Sequence, residues 1–356
     1  MKEKVGFPEI GKISPEFFDR YIYRKLGAKR DDVLVGPRHG VDVGIVKIGS
    51  GLVMAVTTDP IYIVPQYGWE KAAWFAWHIL ASDVTTSGFP PSHAVFDFNL
   101  PMGIREEEFE IVWDVIHRES EKYGTAVVAG HTARYTGTDY PMVGGATFMA
   151  VGPETEYLTP EMASPGDVIV ITKGAAVEAT GIFSHLFPAT IGRELGEETL
   201  RKGQDLFYRM STVDDALTAV EVGVREKGVT SLHDATECGV IGGIYEVAQA
   251  SGTGVLIYRD EIPVDEAVEK ICRLFGMDPL ISISEGTLII TVRPDKKGEL
   301  LARLSDRGIL AREVGVMLKR EEGFWIESPG GREELEHPRI DPFWSAIDRA
   351  MREGLN

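Results

Sequence analysis

The sequence predicts an α/β fold in two consecutive domains, and three observations carry that prediction. The chain has 356 residues, enough for two domains of ordinary size. In both halves, short apolar runs that read as strands alternate with longer stretches whose apolar residues recur at helical spacing. A turn, Ala-Ser-Pro-Gly-Asp at 163–167, separates the halves. The expected domains are therefore residues 1–162 and 163–356.

The elements follow in order. Ser14 as N-cap and Pro15 at the first helical position predict a helix from Ser14 to Leu26. The runs DVGIVKI and LVMAVTT flank Gly49-Ser50-Gly51 and predict a hairpin whose second strand ends at Asp59-Pro60. Trp69, Ala72, Ala73, Ala76, Ile79 and Leu80 share one helical face; that helix runs into Ser82-Asp83 and breaks at Gly88 and Pro90-Pro91. HAVFDFNL predicts a strand, and Arg105–Tyr123 a helix with Phe109, Val112, Trp113 and Ile116 on one side. TAVVAG predicts a buried strand ending in the turn Ala129-Gly130-His131-Thr132, and MVGGATFMAVG predicts another strand, apolar enough to be a poor solvent edge. The second half opens on the strand VIVITKG. Helices are expected over Val213–Lys227, Ile241–Ala250, Val264–Phe275, 296–307 and Phe343–Met351. The remaining strands are GVLIYR, TLIITVR, AREVGVML and FWIES.

Composition narrows the function. The chain is 44% hydrophobic and 26% charged, as a soluble globular protein is. No apolar run reaches the length of a membrane span, and the segment from Met1 to Lys12 has no apolar signal region. Cys238 and Cys272 stand far apart without metal-ligand spacing, which fits a reducing, cytoplasmic setting. The formal net charge of −18 disfavours nucleic acid as a partner. An acidic protein that binds a nucleotide must neutralise its phosphates locally, by a metal or by backbone N–H groups. Asn99, Asn356, Gln66, Gln204 and Gln249 are the only side-chain amides among many charged residues, a pattern of thermophilic sources.

Three acidic landmarks dominate the first half: Asp42 in GVDVG, Asp59 in TTDP and Asp83 in ASDVTTSGFPP. Each stands beside Gly or Pro near the edge of an element. Converging carboxylates repel; at about 4 Å and an effective dielectric near 20, each pair costs about 4 kcal/mol. A fold that gathers them needs a cation, and hard oxygen donors suit Mg²⁺ or Mn²⁺ with a phosphate completing the shell. The bland readings are a turn Asp for Asp42 and an N-cap or Asp-Pro turn for Asp59. Asp83 ends an apolar helix, where a carboxylate opposes the helix dipole, so a bound cation explains it better. His131, with Thr132 after it, can ligate a metal or bond a phosphate; a lone histidine is otherwise structural. In SLHDATECGVIGG, His233 and Asp234 precede a glycine-rich turn into a helix, whose N-terminus can take phosphate or simply be capped. Glu285 in SISEG reads as a turn acid. Lys173-Gly174 matches no phosphate-binding loop. The sequence has no G-x-S-x-G, H-E-x-x-H, C-x-x-C or G-x-G-x-x-G.

Taken in order, these motifs resemble the aminoimidazole-ribonucleotide (AIR) synthase superfamily, which also holds thiamine-monophosphate kinase, selenophosphate synthetase and the hydrogenase maturation factor HypE. The family's acidic first motif matches Asp42, its Thr-Asp strand end matches Thr58-Asp59, and its Asn-Asp…Gly…Pro motif matches Ser82-Asp83 through Gly88 and Pro91. Its Gly-Gly-acid-Thr turn matches Gly130-His131-Thr132, its Asp-x-Thr-x-Gly-Gly pattern matches Asp234 to Gly239, and its Asn-Glu-Gly turn matches Ser284-Glu285-Gly286. The HypE-related branch is the nearest in pattern. The resemblance implies an N-terminal domain with a ferredoxin-like sheet, a C-terminal α/β domain, and a homodimer or higher homo-oligomer formed through the N-terminal sheets. It implies ATP or ADP with divalent metal in a cleft. Metal ligands would be Asp42, Asp59, Asp83, His131 and Asp234; nucleotide contacts would be Thr58, Gly130, Thr132 and Gly239; Asp42 and Asp83 would be catalytic. The departures are a single acid in the first motif, His131 where an acid is common, and no terminal cysteine of the HypE type or N-terminal Cys of the selenophosphate type.

The function expected from these features is cleavage of a nucleotide phosphoanhydride with a divalent metal, and with no acceptor residue in view, water is the simplest acceptor, giving a nucleotide phosphohydrolase. The alternatives are an ATP-dependent kinase or ligase for a small molecule, and a non-catalytic nucleotide-sensing maturation protein.

Overall fold

The computed structural model describes residues 15–356. The predicted N-cap Ser14 lies outside the described residues. Helix α1 (Pro15–Tyr21) starts at the proline and gives way to a turn before Leu26. The N-terminal part continues with β1 (Val33–Val35), β2 (Gly44–Gly49), β3 (Leu52–Tyr62), α2 (Trp69–Thr85), β4 (His93–Leu100), α3 (Glu106–Tyr123), β5 (Ala126–Arg134) and β6 (Met142–Pro153). These strands form a six-stranded sheet in the order β1-β2-β3-β6-β4-β5. The β2–β3 hairpin turns where Gly49, Ser50 and Gly51 all take positive φ. Alternation along β3 buries Val53, Ala55 and Thr57 on one face, and α2 covers it with Trp77, Leu80, Ala81 and Val84.

Three expectations change here. The second hairpin strand does not stop at Asp59-Pro60 but runs on to Tyr62. Its pairing with β2 ends at Val56, so beyond that point one edge is bare, and a strand with a bare edge tolerates a proline. Residues 129–132 are not a turn; they lie inside β5, which pairs in parallel with β4 through Arg134. And β5 is not buried. An unbroken apolar run reads as a two-sided buried strand, yet β5 is the outer strand of the sheet, with Val127 40% and Val128 56% exposed, while β6 is an interior strand between β3 and β4.

The second part begins with β7 (Val168–Thr172), α4 (Val177–Leu186), α5 (Pro188–Leu195), α6 (Glu197–Asp205), α7 (Val213–Ala219), β8 (Val229–Asp234) and α8 (Gly239–Ser251). It continues with β9 (Gly254–Tyr258), α9 (Glu266–Phe275), β10 (Leu288–Val292), α10 (Lys297–Asp306), β11 (Ala311–Leu318), β12 (Phe324–Ser328), β13 (Gly331–Glu334) and α11 (Pro342–Arg352). The strands form a seven-stranded sheet in the order β13-β12-β9-β11-β7-β10-β8. The two-domain α/β architecture expected from the sequence is the one observed.

Two differences have plain causes. The helix expected over Val213–Lys227 ends at Ala219, because Gly223 and Arg225 take positive φ and break it into 3₁₀ turns. Strand β8 carries Thr230, Ser231, His233 and Asp234, all buried. Its polarity hides it from an apolar-run reading; inside the fold the hydroxyls of Thr230 and Ser231 bond Thr291 on β10.

The hydrophobic core is continuous across the two parts. Trp77 and Phe148 of the first belong to the same cluster as Phe183, Phe207, Phe275 and Phe343 of the second. Phe75 meets Phe207 with ring centroids 5.8 Å apart. Ser82 Oγ accepts from the Thr212 N–H at 3.0 Å, and His78 Nδ1 lies 2.7 Å from Ser211 Oγ. The C-terminal end of α2 is thus fixed against the second part, and that is where Asp83 sits. Among the described residues, no helix is long and apolar enough to cross a membrane.

Candidate active site

Carboxylates from both parts converge where α2 ends. The period of two along β3 places Thr57 and Asp59 on the face that α2 covers. Thr57 Oγ1 donates to Asp83 Oδ2 at 2.9 Å. Asp83 is in the last turn of α2. From the second part, Asp234 ends β8 and is 1% exposed, and Glu285, 2% exposed, lies in the loop before β10. Glu285 is held by its own backbone: its N–H donates to Glu178 Oε2 at 2.9 Å, from the first turn of α4.

The electrostatics show that these groups share one space. Burial pushes the Asp83 carboxyl well above the usual carboxylate range; Asp234, Asp59 and Asp42 push the same way, against the Thr57 hydroxyl. Burial raises the Glu285 carboxyl in the same manner, reinforced by Asp234, Glu178 and Asp83 and opposed by a bond from Ser82. Glu285 Oε1 is buried with no hydrogen-bond partner among the described residues.

His233 is held on both sides in this acidic setting. Its Nδ1 lies 2.8 Å from Asp42 Oδ2 and its Nε2 3.1 Å from Glu246 Oε2. A ring with a carboxylate on each nitrogen donates from both, so it is an imidazolium. Burial works against that charge, but Asp42 and Glu246 together outweigh it and hold the ring's pKa well above its ordinary value. Ligand atoms of Asp42, His233 and Asp234 all lie within 4.8 Å of one another.

The donors fit a hard divalent ion. Carboxylate oxygens dominate the set, a buried carboxylate oxygen of Glu285 stands without a hydrogen bond, and the mutual repulsion on Asp83 is of the kind a cation relieves.

The sequence-predicted residues divide into two groups. Asp42 and Asp234 come within ligand distance of one another, and Asp59 and Asp83 lie close enough that their charges act on the same group. Thr58, Gly130, His131 and Thr132 do not join them within one chain. Thr58 faces the opposite side of β3 from Asp59 and donates to the Ala146 carbonyl at 2.9 Å. The ladder rows Asp59–Ala146–Phe96–Gly130 and Pro60–Gly145–Asp97–His131 run across β3, β6, β4 and β5. At about 4.8 Å per strand, Gly130 and His131 are roughly 14 Å from the β3 column that carries Asp59. His131 is exposed on the outer strand, with Nε2 3.0 Å from the Tyr135 hydroxyl.

Gly239 opens α8 with φ +60, and a Cβ there would stand 2.6 Å from the Ser282 carbonyl oxygen; close backbone packing explains the glycine. The amide before it is already used, since Cys238 N–H donates to Asp341 Oδ2 at 2.7 Å. Lys173 is equally committed: its Nζ donates to the carbonyls of Ser211 at 2.6 Å and Gly286 at 2.9 Å, and lies 2.7 Å from Asp215.

Glu178 and Glu246 were not singled out from the sequence. Both are helical glutamates in a chain rich in them, and only their tertiary neighbours distinguish them.

The family model for the AIR synthase related protein N-terminal domain matches residues 40–151, and that for the C-terminal domain matches residues 164–326. The chain is 26% identical to the carbamoyl dehydratase HypE of Escherichia coli over 74% of this chain and 75% of that protein. It is 28% identical to a selenide, water dikinase of Methanocaldococcus jannaschii over 82% of this chain and 84% of that protein. A crystal structure of the hydrogenase maturation protein HypE in complex with ATP superposes with a TM-score of 0.62 at 20% identity, covering 92% of this chain and 93% of that one. Both domains of the family being matched in sequence order, the chain belongs to the AIR synthase related proteins.

Proposed function

We propose that the protein is a divalent-metal-dependent enzyme of the cytoplasm that binds ATP or ADP and breaks a phosphoanhydride. The observation that carries this reading is the convergence of Asp42, Asp59, Asp83, Asp234 and Glu285 at the junction of the two parts. When bound, Mg²⁺ or Mn²⁺ would neutralise phosphate oxygens and stabilise the charge on the leaving group. Asp42, Asp59, Asp83 and Asp234 are the residues that would hold the metal, with Asp42 and Asp83 facing it from the first part and Asp234 from the second. The known relatives support the nucleotide, since one solved neighbour holds ATP.

The acceptor is an added small molecule rather than a cysteine of the chain. Cys238 and Cys272 are both buried, and burial pushes the Cys272 thiol up to about 12. The relative named selenide, water dikinase supports a small-molecule co-substrate. Hydrolysis of ATP or ADP by water is then the slow background reaction.

We also propose that the protein works as a homodimer formed along β5. An outer strand with exposed Val127 and Val128 is a poor solvent edge. Pairing there would cover Gly130, His131 and Thr132, the motif residues that a single chain leaves on its surface.

The test is phosphate release from ATP and ADP with Mg²⁺ or Mn²⁺, alone and with candidate metabolites. Metal-dependent release that Asp83→Asn abolishes supports the reading. Release that persists in that variant, or without metal, overturns it.

A further inference from the structure

His233 joins two elements that the chain brings from far apart. Asp42 lies in the segment before β2, in the first part of the molecule, whereas Glu246 lies on α8, the helix that follows β8. The His233 ring bridges them, with 2.8 Å from Nδ1 to Asp42 Oδ2 and 3.1 Å from Nε2 to Glu246 Oε2. The segment that carries Asp42 is seated on the turn of α8 that carries Glu246. Gly40 has φ +68, and a Cβ there would stand 3.0 Å from both the Cβ and the carbonyl oxygen of Glu246. The positive φ favours a glycine at that contact, and a side chain there would strain the backbone and press on Glu246. Glu246 also faces His337 at 3.8 Å, on the segment leading to α11.

A carboxylate that can rotate loses that freedom when it binds an ion, and a partner that orients it beforehand lowers the cost. Asp42 engages His233 through Oδ2, so its orientation follows the ring. The ring in turn needs a second anchor, since a bond at Nδ1 alone leaves it free to tilt, and Glu246 supplies that anchor at Nε2.

We propose that Glu246 is a positioning residue of the metal site: it holds the His233 ring so that Nδ1 grips one oxygen of Asp42 and presents the carboxylate, already oriented, to a divalent cation. This rests on the metal reading given above. Glu246 acts only through His233, and that dependence distinguishes it from a residue that merely supports the fold.

The experiment is a titration of the full-length protein with Mn²⁺ alone, free ion being read by electron paramagnetic resonance, with no nucleotide present. Glu246→Ala weakens Mn²⁺ binding about tenfold, the lower end for residues that orient metal ligands. Glu246→Gln, which keeps an acceptor oxygen for Nε2, loses less. His233→Ala loses at least as much as Glu246→Ala, and adding Glu246→Ala to it costs nothing further, because the two act in series. Thermal melting without metal shows that each variant is folded; where an alanine variant is not, Glu246→Gln and His233→Asn complete the same cycle. Glu246→Ala within twofold of wild type, or losses that multiply in the double variant, overturns the proposal. If wild type binds no Mn²⁺, the metal reading falls and this one with it. If wild type binds Mn²⁺ and Asp234→Asn abolishes that binding while Glu246→Ala leaves it intact, this proposal alone falls.

Discussion

Asp83→Asn should make the metal-free protein more stable while removing most of the stabilisation by metal. Asp83 faces Asp234, Asp59 and Asp42 from a buried position. At about 5 Å and an effective dielectric near 20, one like-charge pair costs roughly 3 kcal/mol. The full sum is never reached, because the site takes up a proton instead, and that relief caps the gain from neutralising Asp83 at about 1–3 kcal/mol. Asparagine keeps an oxygen for the Thr57 hydroxyl, so the 2.9 Å bond survives. At 2–4 °C per kcal/mol, the metal-free melting temperature should rise by roughly 2–12 °C. Saturating Mn²⁺ acts oppositely: at a hundredfold excess over Kd it stabilises the wild type by about 2.7 kcal/mol, and the variant gains little. Scanning calorimetry of both proteins, with and without Mn²⁺, should therefore show their order reversing. A lower metal-free melting temperature in the variant, or an equal response to Mn²⁺, would refute the reasoning.

The remaining predictions use the same structure. Asp83 and Glu285 have folded-state pKa values raised above their unfolded ones, so their contribution to stability is complete below the ordinary carboxylate range and is lost as pH rises through the raised values. Metal-free melting temperature should thus increase as pH falls from 8 towards 5, and Glu285→Gln should flatten that slope; with Mn²⁺ the slope should reverse, since protons compete for the ligands. Lys173→Met should destabilise the fold by about 3–5 kcal/mol in urea unfolding, because it leaves Asp215 buried beside its lost partner, and Asp215→Asn in the same chain should restore much of that. Val128→Lys should convert a dimer to a monomer by light scattering at micromolar concentration, with no loss of the monomer's fold; a wild type that is already monomeric would remove the dimer reading.

Much of the fold was legible because the local signals agree with the final structure. The helix at Arg105–Tyr123 and the strand HAVFDFNL have periodicities that only one element satisfies, and α3 and β4 fall there. Strand β8 does not show in the sequence because its polar residues are satisfied by β10, by Asp167 and by the site, partners that no local window contains. The helices α4 to α6 went unread because Pro188 and Gly196 divide them into pieces too short for a clear period.

The sequence by itself determined which residues carry the acids and in what order, since Asp42, Asp59, Asp83 and Asp234 stand in motifs that the glycines and prolines around them mark. It also determined the two-part α/β architecture, because alternation of short apolar runs and amphipathic helices is a local property. Only the tertiary structure decided that Glu285 and Glu178 face those acids, that His233 lies between Asp42 and Glu246, and that His131 sits on the outer strand. The physical reason is range. Periodicity and capping act over a few residues, whereas a charge cluster depends on separations of about 5 Å between groups as distant in sequence as Asp42 and His233.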